Sequence, residues 1–147
     1  MYAVGSLPAG SVDAHMHVFD ARIPWAQTAV IFPAEHLLPE YQAVQERLGS
    51  ARSVLVQPSS YGVDNSLLVR SLRELGPRGR GVAVVHPSVS DNELALLHDA
   101  GVRGIRFNLA QFGATTPDMI APLAKRVAPL GWHVQVHAPA DLLREDL

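Results

Sequence analysis

The sequence predicts an α/β fold on a parallel sheet, and three observations predict it. Short β-branched runs alternate with helical patterns along the chain. The runs are apolar almost throughout, as parallel strands covered on both faces are. Successive runs begin about one βα unit apart, which leaves room for the crossover that a parallel pair requires.

Five runs read as strands: residues 12–18, 53–57, 81–86, 104–109 and 132–137. Helices fill the intervals. Residues 39–48 form the first, with Gly49 placed as its C-terminal cap. Residues 65–75 form the second, stopped by Gly76-Pro77. The third opens on Ser90-Asp91-Asn92-Glu93, a capping box in which Ser and Glu satisfy each other's backbone donors, and it ends near Gly101. The fourth lies within residues 118–130, where Pro122 and Pro129 predict a late start or a kink. A fifth begins at Asp141. Residues 20–38, with Pro24, Trp25 and Pro33, are the one extended loop. The loop follows the first strand and so lies over the C-terminal end of the sheet, where parallel α/β folds bind ligands.

Composition narrows the function. A chain of 147 residues, 48% of them apolar, can bury one core, so a single domain over residues 1–147 is expected. A net charge of −2 with that apolar content excludes disorder. Eleven Arg and one Lys are scattered among 14 acids, which argues against a nucleic-acid surface. No apolar run approaches the roughly 18 residues of a membrane span. The first residues, Met1-Tyr2-Ala3-Val4-Gly5-Ser6, carry neither the positive nor the apolar region of a secretory signal, so a cytoplasmic location is expected. Without cysteine there are no disulfides, thiolate nucleophiles or Cys-based zinc sites.

The residues that carry chemistry sit at strand ends. In Asp13-Ala14-His15-Met16-His17, the period of two on a strand points His15 and His17 the same way. Two imidazoles on one face can grip a divalent cation or polarise a carbonyl. The fifth strand places His133, Gln135 and His137 on one face, and His137 is nearest the C-terminal end. His133 reads as structural. A polar face on a buried strand must look into a cavity, a ligand or water. On the fourth strand Gly104, Arg106 and Asn108 share a face. Arg106 reads either as a clamp for a substrate carboxylate or as half of an ion pair with an acid such as Asp13. Asn108 reads as a polar orienting group. Gln57, Ser59 and Tyr61 follow the second strand and are candidates for substrate contact, and His86 ends the third strand at the same level.

Taken together, Asp13–Asp20, Val54–Asn65, Gly81–Pro87, Gly101–Asn108 and Gly131–His137 resemble the amidohydrolase-related family of TIM-barrel metal-dependent hydrolases. Within it, the chain resembles lactonases that open 2-pyrone-4,6-dicarboxylate and sulfomuconolactone, and galactarolactone isomerase. The resemblance implies a partial (β/α) barrel, about five of eight units, ending after the fifth strand. It implies that His15, His17 and His137 are catalytic and metal-ligating, with a divalent metal, zinc first, although some relatives work without one. It implies that Arg106 and the polar residues Asn108, Gln57, Ser59 and Tyr61 hold a carboxylated lactone while water attacks the ring ester carbonyl. The family's base, an Asp on the eighth strand, has no counterpart here. Two other readings stay open: a non-catalytic remnant or interaction module completed by another chain, and a metal-dependent decarboxylase of the same superfamily. Open sheet edges would also be covered by association of like chains.

Overall fold

Five parallel strands follow one another in the order β1-β2-β3-β4-β5, each paired only with its neighbours in sequence. They are β1 (Val12–Met16), β2 (Arg52–Val56), β3 (Gly79–Ala83), β4 (Val102–Asn108) and β5 (His133–His137). This computed structural model describes residues 7–110 and 113–142. The helices are α1 (Leu38–Leu48), α2 (Ser66–Leu75), α3 (Asp91–Asp99) and α4 (Ile120–Val127). The sheet curls into a half-barrel. Arg106 on β4 reaches past β3 to the Gln57 carbonyl beyond β2, at 3.3 Å. His15 on β1 lies close enough to His137 on β5, the other edge strand, for that ring to depress its pKa.

The hydrophobic core lies between the sheet and its helices. Leu67, Leu68, Leu72 and Leu75 of α2, Leu94 and Leu97 of α3, and Leu123 and Val127 of α4 are buried there against Leu55, Ile105 and Phe107. Each such side chain contributes about 1.5–3 kcal/mol when fully buried. Helix α2 approaches β3 closely because β3 offers glycines: a Cβ at Gly81 would lie 2.6 Å from Leu72, and one at Gly79 would lie 2.8 Å from Leu75.

Local signals set the boundaries. Ser90 Oγ accepts from the Glu93 N–H at 3.1 Å, and the Ser90 N–H donates to Glu93 Oε2 at 3.0 Å, which closes the expected capping box. Gly49 ends α1 at φ 73°, the left-handed conformation that favours glycine. The proline-bearing fourth segment starts late: a 3₁₀ turn at Pro117–Met119 precedes α4, and another at Ala128–Leu130 follows it.

Every strand differs from the sequence reading at one or both ends, and the shifts in β3 and β1 have a visible cause. β3 begins and ends earlier than residues 81–86. Its start is a glycine that propensity disfavours, and its end is intercepted by Asn65. There Asn65 Oδ1 accepts from the Val84 N–H at 3.2 Å, and Asn65 Nδ2 donates to the Val84 carbonyl at 2.8 Å. β1 stops at Met16 rather than residue 18, and it carries a bulge. Asp13 pairs with Ser53, but Met16 pairs with Leu55, so β1 holds one extra residue. The fifth helix expected from Asp141 falls largely on residues 143–147, outside the described residues. Among the described residues no helix is long and apolar enough to cross a membrane.

Candidate functional site

The β1 bulge sets the polarity of the site. It turns Asp13 toward α1, where Tyr41 Oη donates to Asp13 Oδ2 at 2.9 Å. It leaves His15 and His17 on the concave side, their rings edge to face with centroids 5.0 Å apart and Nε2 atoms 3.4 Å apart. The His17 Nδ1–H donates to the Val56 carbonyl at 2.6 Å, which fixes the tautomer and aims the Nε2 lone pair at His15. Burial lowers the pKa of both imidazoles. The Arg106 guanidinium lowers both further, and each ring is also depressed by a neighbouring imidazole, His137 for His15 and His15 for His17. The pair is therefore neutral near pH 7, the state in which imidazole nitrogen can ligate or accept a proton.

Strands β4 and β5 supply the facing wall. His137 Nδ1 donates to Asn108 Oδ1 at 3.1 Å, and Asn108 Nδ2 donates to Ser59 Oγ at 2.7 Å. This relay ties β5, β4 and the loop after β2 at one level. Arg106 lies just below, 8% exposed. Its Nη1 meets only a backbone carbonyl, its Nε is buried without a partner, and among the described residues no carboxylate lies within 4 Å of it. Burial without a counter-charge lowers its pKa. Such a cation is costly unless an anion meets it. The bulge excludes Asp13 from that role.

His17, Arg106, Asn108, Ser59 and His137 line one pocket of about 220 Å³ at the C-terminal end of the strands. His15 does not line this pocket and stands next to it only through His17, 3.4 Å away. The structure does not bring the remaining candidates there. Gln57 shares the helix-facing side of β2 with Leu55, and its Nε2 donates to the Asp64 carbonyl at 2.7 Å and the Gly62 carbonyl at 3.4 Å. Tyr61 is 2% exposed and spends its hydroxyl on the Asp20 backbone. His86 bonds Ser88 at 2.9 Å and lines a separate groove between α2 and α3. His133 lies at the opposite end of β5, across Gly104.

Two features were not assigned from the sequence. Phe19, Val30, Ile31 and Pro33, with Thr28 among them, line the pocket as a largely apolar wall. The apolar run Ala29-Val30-Ile31-Phe32 inside an otherwise turn-rich loop was the available signal. The second is Asp20, fully buried, whose carboxylate accepts from Arg22 Nε at 2.9 Å and from Arg70 Nη2 at 2.5 Å. No local pattern announces a partner fifty residues away.

The donor set fits a cation only in part. Two ligands on a tetrahedral zinc, each about 2.0–2.1 Å from the metal, are about 3.3 Å apart, close to the His15–His17 separation. Among the described residues, however, no group of three His, Cys, Asp or Glu side chains is arranged to hold a metal ion.

A family model for amidohydrolases matches residues 12–147. The chain is 43% identical over 138 residues to a 2-pyrone-4,6-dicarboxylate hydrolase of Comamonas testosteroni, covering 91% of this chain and 45% of that protein. It is 32% identical over 143 residues to a 4-sulfomuconolactone hydrolase of Rhizobium radiobacter, covering 94% and 48%. A solved structure from Acinetobacter baumannii, named as a probable 2-pyrone-4,6-dicarboxylic acid hydrolase with citric acid bound, superposes with a TM-score of 0.82 at 31% identity, covering 91% of this chain and 51% of that one. An apo structure from Agrobacterium tumefaciens has a TM-score of 0.86 at 22% identity, covering 96% and 52%, and supports the fold alone. The chain thus spans about half the length of the relatives it matches.

Proposed function

From the premise that the chain belongs to the amidohydrolase family, we propose that it carries the substrate-anchoring half of a lactone hydrolase centre. The carrying observation is Arg106, a buried guanidinium with no carboxylate partner among the described residues, beside a neutral imidazole pair. A carboxylated cyclic ester supplies what each group lacks. Its carboxylate meets Arg106, with Asn108 and Ser59 as further polar contacts. Its ring carbonyl lies toward His15 and His17. In the tautomer set by Val56, the Nε2–H belongs to His15 and points at the His17 Nε2; an incoming carbonyl oxygen takes that hydrogen bond in place of His17. Water adds to that carbonyl carbon, the ring C–O bond breaks, and the ring oxygen leaves as an alcohol or enol while a second carboxylate forms.

A divalent cation would polarise the carbonyl and acidify the water. His15 and His17 would hold it, with His137 as the nearest further imidazole. The described residues do not complete such a site, so no step here depends on it. They also supply no carboxylate base at the pocket. The whole reaction therefore belongs to an assembly larger than these five strands. Among the described residues the outer edges of β1 and β5 are unpaired, which favours a second reading, an interaction module completed by another chain.

The test is ring opening of a carboxylated lactone, followed as loss of ring absorbance, by a protein containing this segment. His15→Ala and His17→Ala are each expected to remove most of the activity. Near-unchanged turnover in both would refute the site. Carbon dioxide release in place of ring opening would mark a decarboxylase.

A further inference from the structure

The apolar wall over the pocket is held by one aromatic side chain outside it. Ring centroids run from His17 to Phe19 at 6.0 Å, Phe19 to Tyr61 at 6.3 Å, Tyr61 to Trp25 at 5.0 Å, and Trp25 to Phe32 at 6.1 Å. Tyr61 and Trp25 are stacked, only 18° from parallel. Tyr61 Oη accepts from the Asp20 N–H at 2.8 Å and donates to the Asp20 carbonyl at 3.1 Å, so both hydrogen-bonding roles go to the first residue of the loop. Desolvation raises the Tyr61 pKa, which keeps the hydroxyl protonated as a donor.

The neighbouring turn adds two tethers. The Ala26 N–H donates to the Ser60 carbonyl at 2.8 Å, and Ser60 Oγ donates to the Ile31 carbonyl at 2.8 Å. The base of the loop is closed by the Phe19–His36 bridge. Between these fastenings Val30, Ile31 and Phe32 remain 59%, 50% and 63% exposed. Val30 and Ile31 are thus kept in water at the pocket rim, with Phe32 exposed beside them. That is costly unless a ligand covers part of them. Arg106, Asn108 and Ser59 line the same pocket. Its lining thus combines apolar surface with a cation and with amide and hydroxyl groups.

We propose that Tyr61 is a positioning residue that, through Trp25 and Asp20, holds residues 28–33 as the wall that makes this pocket prefer a flat cyclic carboxylate over an open-chain one. This rests on the anion-binding reading above. An open-chain acid meets Arg106 equally well but presents no rigid face to Val30 and Ile31. The preference therefore measures the wall, and total anion affinity measures Arg106.

The test compares benzene-1,3-dicarboxylate with glutarate by calorimetry on the intact chain, with acrylamide quenching of tryptophan alongside. Trp132 is 6% exposed, so quenching reports Trp25, and Trp25→Phe is the control. The unsubstituted chain is expected to favour the cyclic acid. Tyr61→Phe keeps the ring but loses both hydroxyl bonds; it should raise Trp25 quenching, weaken the cyclic acid about ten-fold and leave glutarate within about two-fold. Ser60→Ala removes only the Ile31 tether and should act in the same direction, which preserves the test if Tyr61→Phe does not fold. Unchanged selectivity in a folded variant would overturn the role of Tyr61 alone. Failure of both acids to bind the unsubstituted chain would overturn the anion pocket itself, and this proposal with it.

Discussion

The imidazole of His133 lies across Gly104 so closely that a Cβ on Gly104 would stand 2.5 Å from its ring. The two residues are register partners on β4 and β5, at the end of the strands away from the pocket. A glycine is required there because the ring occupies the space a side chain would take.

Gly104→Ala is accordingly expected to destabilise the fold by about 1–3 kcal/mol, the usual cost of overpacking. His133→Ala in the same chain should recover most of that loss. Urea unfolding of the two single variants and the double variant gives the coupling. Simple additivity would contradict the packing account.

Asp20 predicts an acid dependence. Its Arg22 and Arg70 partners outweigh its burial and hold its carboxyl well below the usual carboxylate range. A depressed folded-state pKa stabilises the fold above the unfolded value, near pH 4, and that contribution is lost as pH falls through the folded value. Asp20→Asn should lower stability at pH 7 by about 1–3 kcal/mol and flatten the decline below pH 4. Thermal melts between pH 2 and pH 7 decide it, and parallel curves for the two proteins would exclude Asp20 as the source.

Tyr41 predicts an alkaline limit. Burial first, and then its bond to Asp13, push its hydroxyl up to about 12. A raised folded-state pKa means stability that is complete below the unfolded value, near pH 10, and lost as pH rises through the folded value. Stability should therefore fall between about pH 10 and 12, and less steeply in Tyr41→Phe. Phenolate absorbance and a melt series measure both.

Arg106→Met should separate stability from binding. Removing an uncompensated buried cation and keeping apolar volume is expected to leave stability unchanged or raise it by about 1–4 kcal/mol. Binding of a dicarboxylate should weaken at least about ten-fold. A variant that loses stability would show that the guanidinium is a structural member of the inner face.

The fold was legible because parallel strands and capped helices are local signals. The alternation of apolar runs, Gly49 and the Ser90–Glu93 box each act over a few residues. The pairing of His15 with His17, and the shared face of Arg106 and Asn108, followed from the strand period. Gln57 misled because its place at the end of the second strand suggested the mouth, whereas its position relative to Leu55 puts it among the helices. The bulge that turns Asp13 away, the Asn65 clamp on Val84 and the Asp20–Arg70 pair are long-range. Tertiary contacts set them, and no periodicity encodes them.

The central claim is that imidazoles from both edge strands share a carboxylate-binding pocket with Arg106. Histidine-ring NMR during titration with benzene-1,3-dicarboxylate tests it most directly. The account predicts that the His15, His17 and His137 resonances move together along one saturation curve, and that Arg106→Met abolishes the movement. Shifts confined to His86 and His98, or rings that stay still while the acid binds, would contradict it.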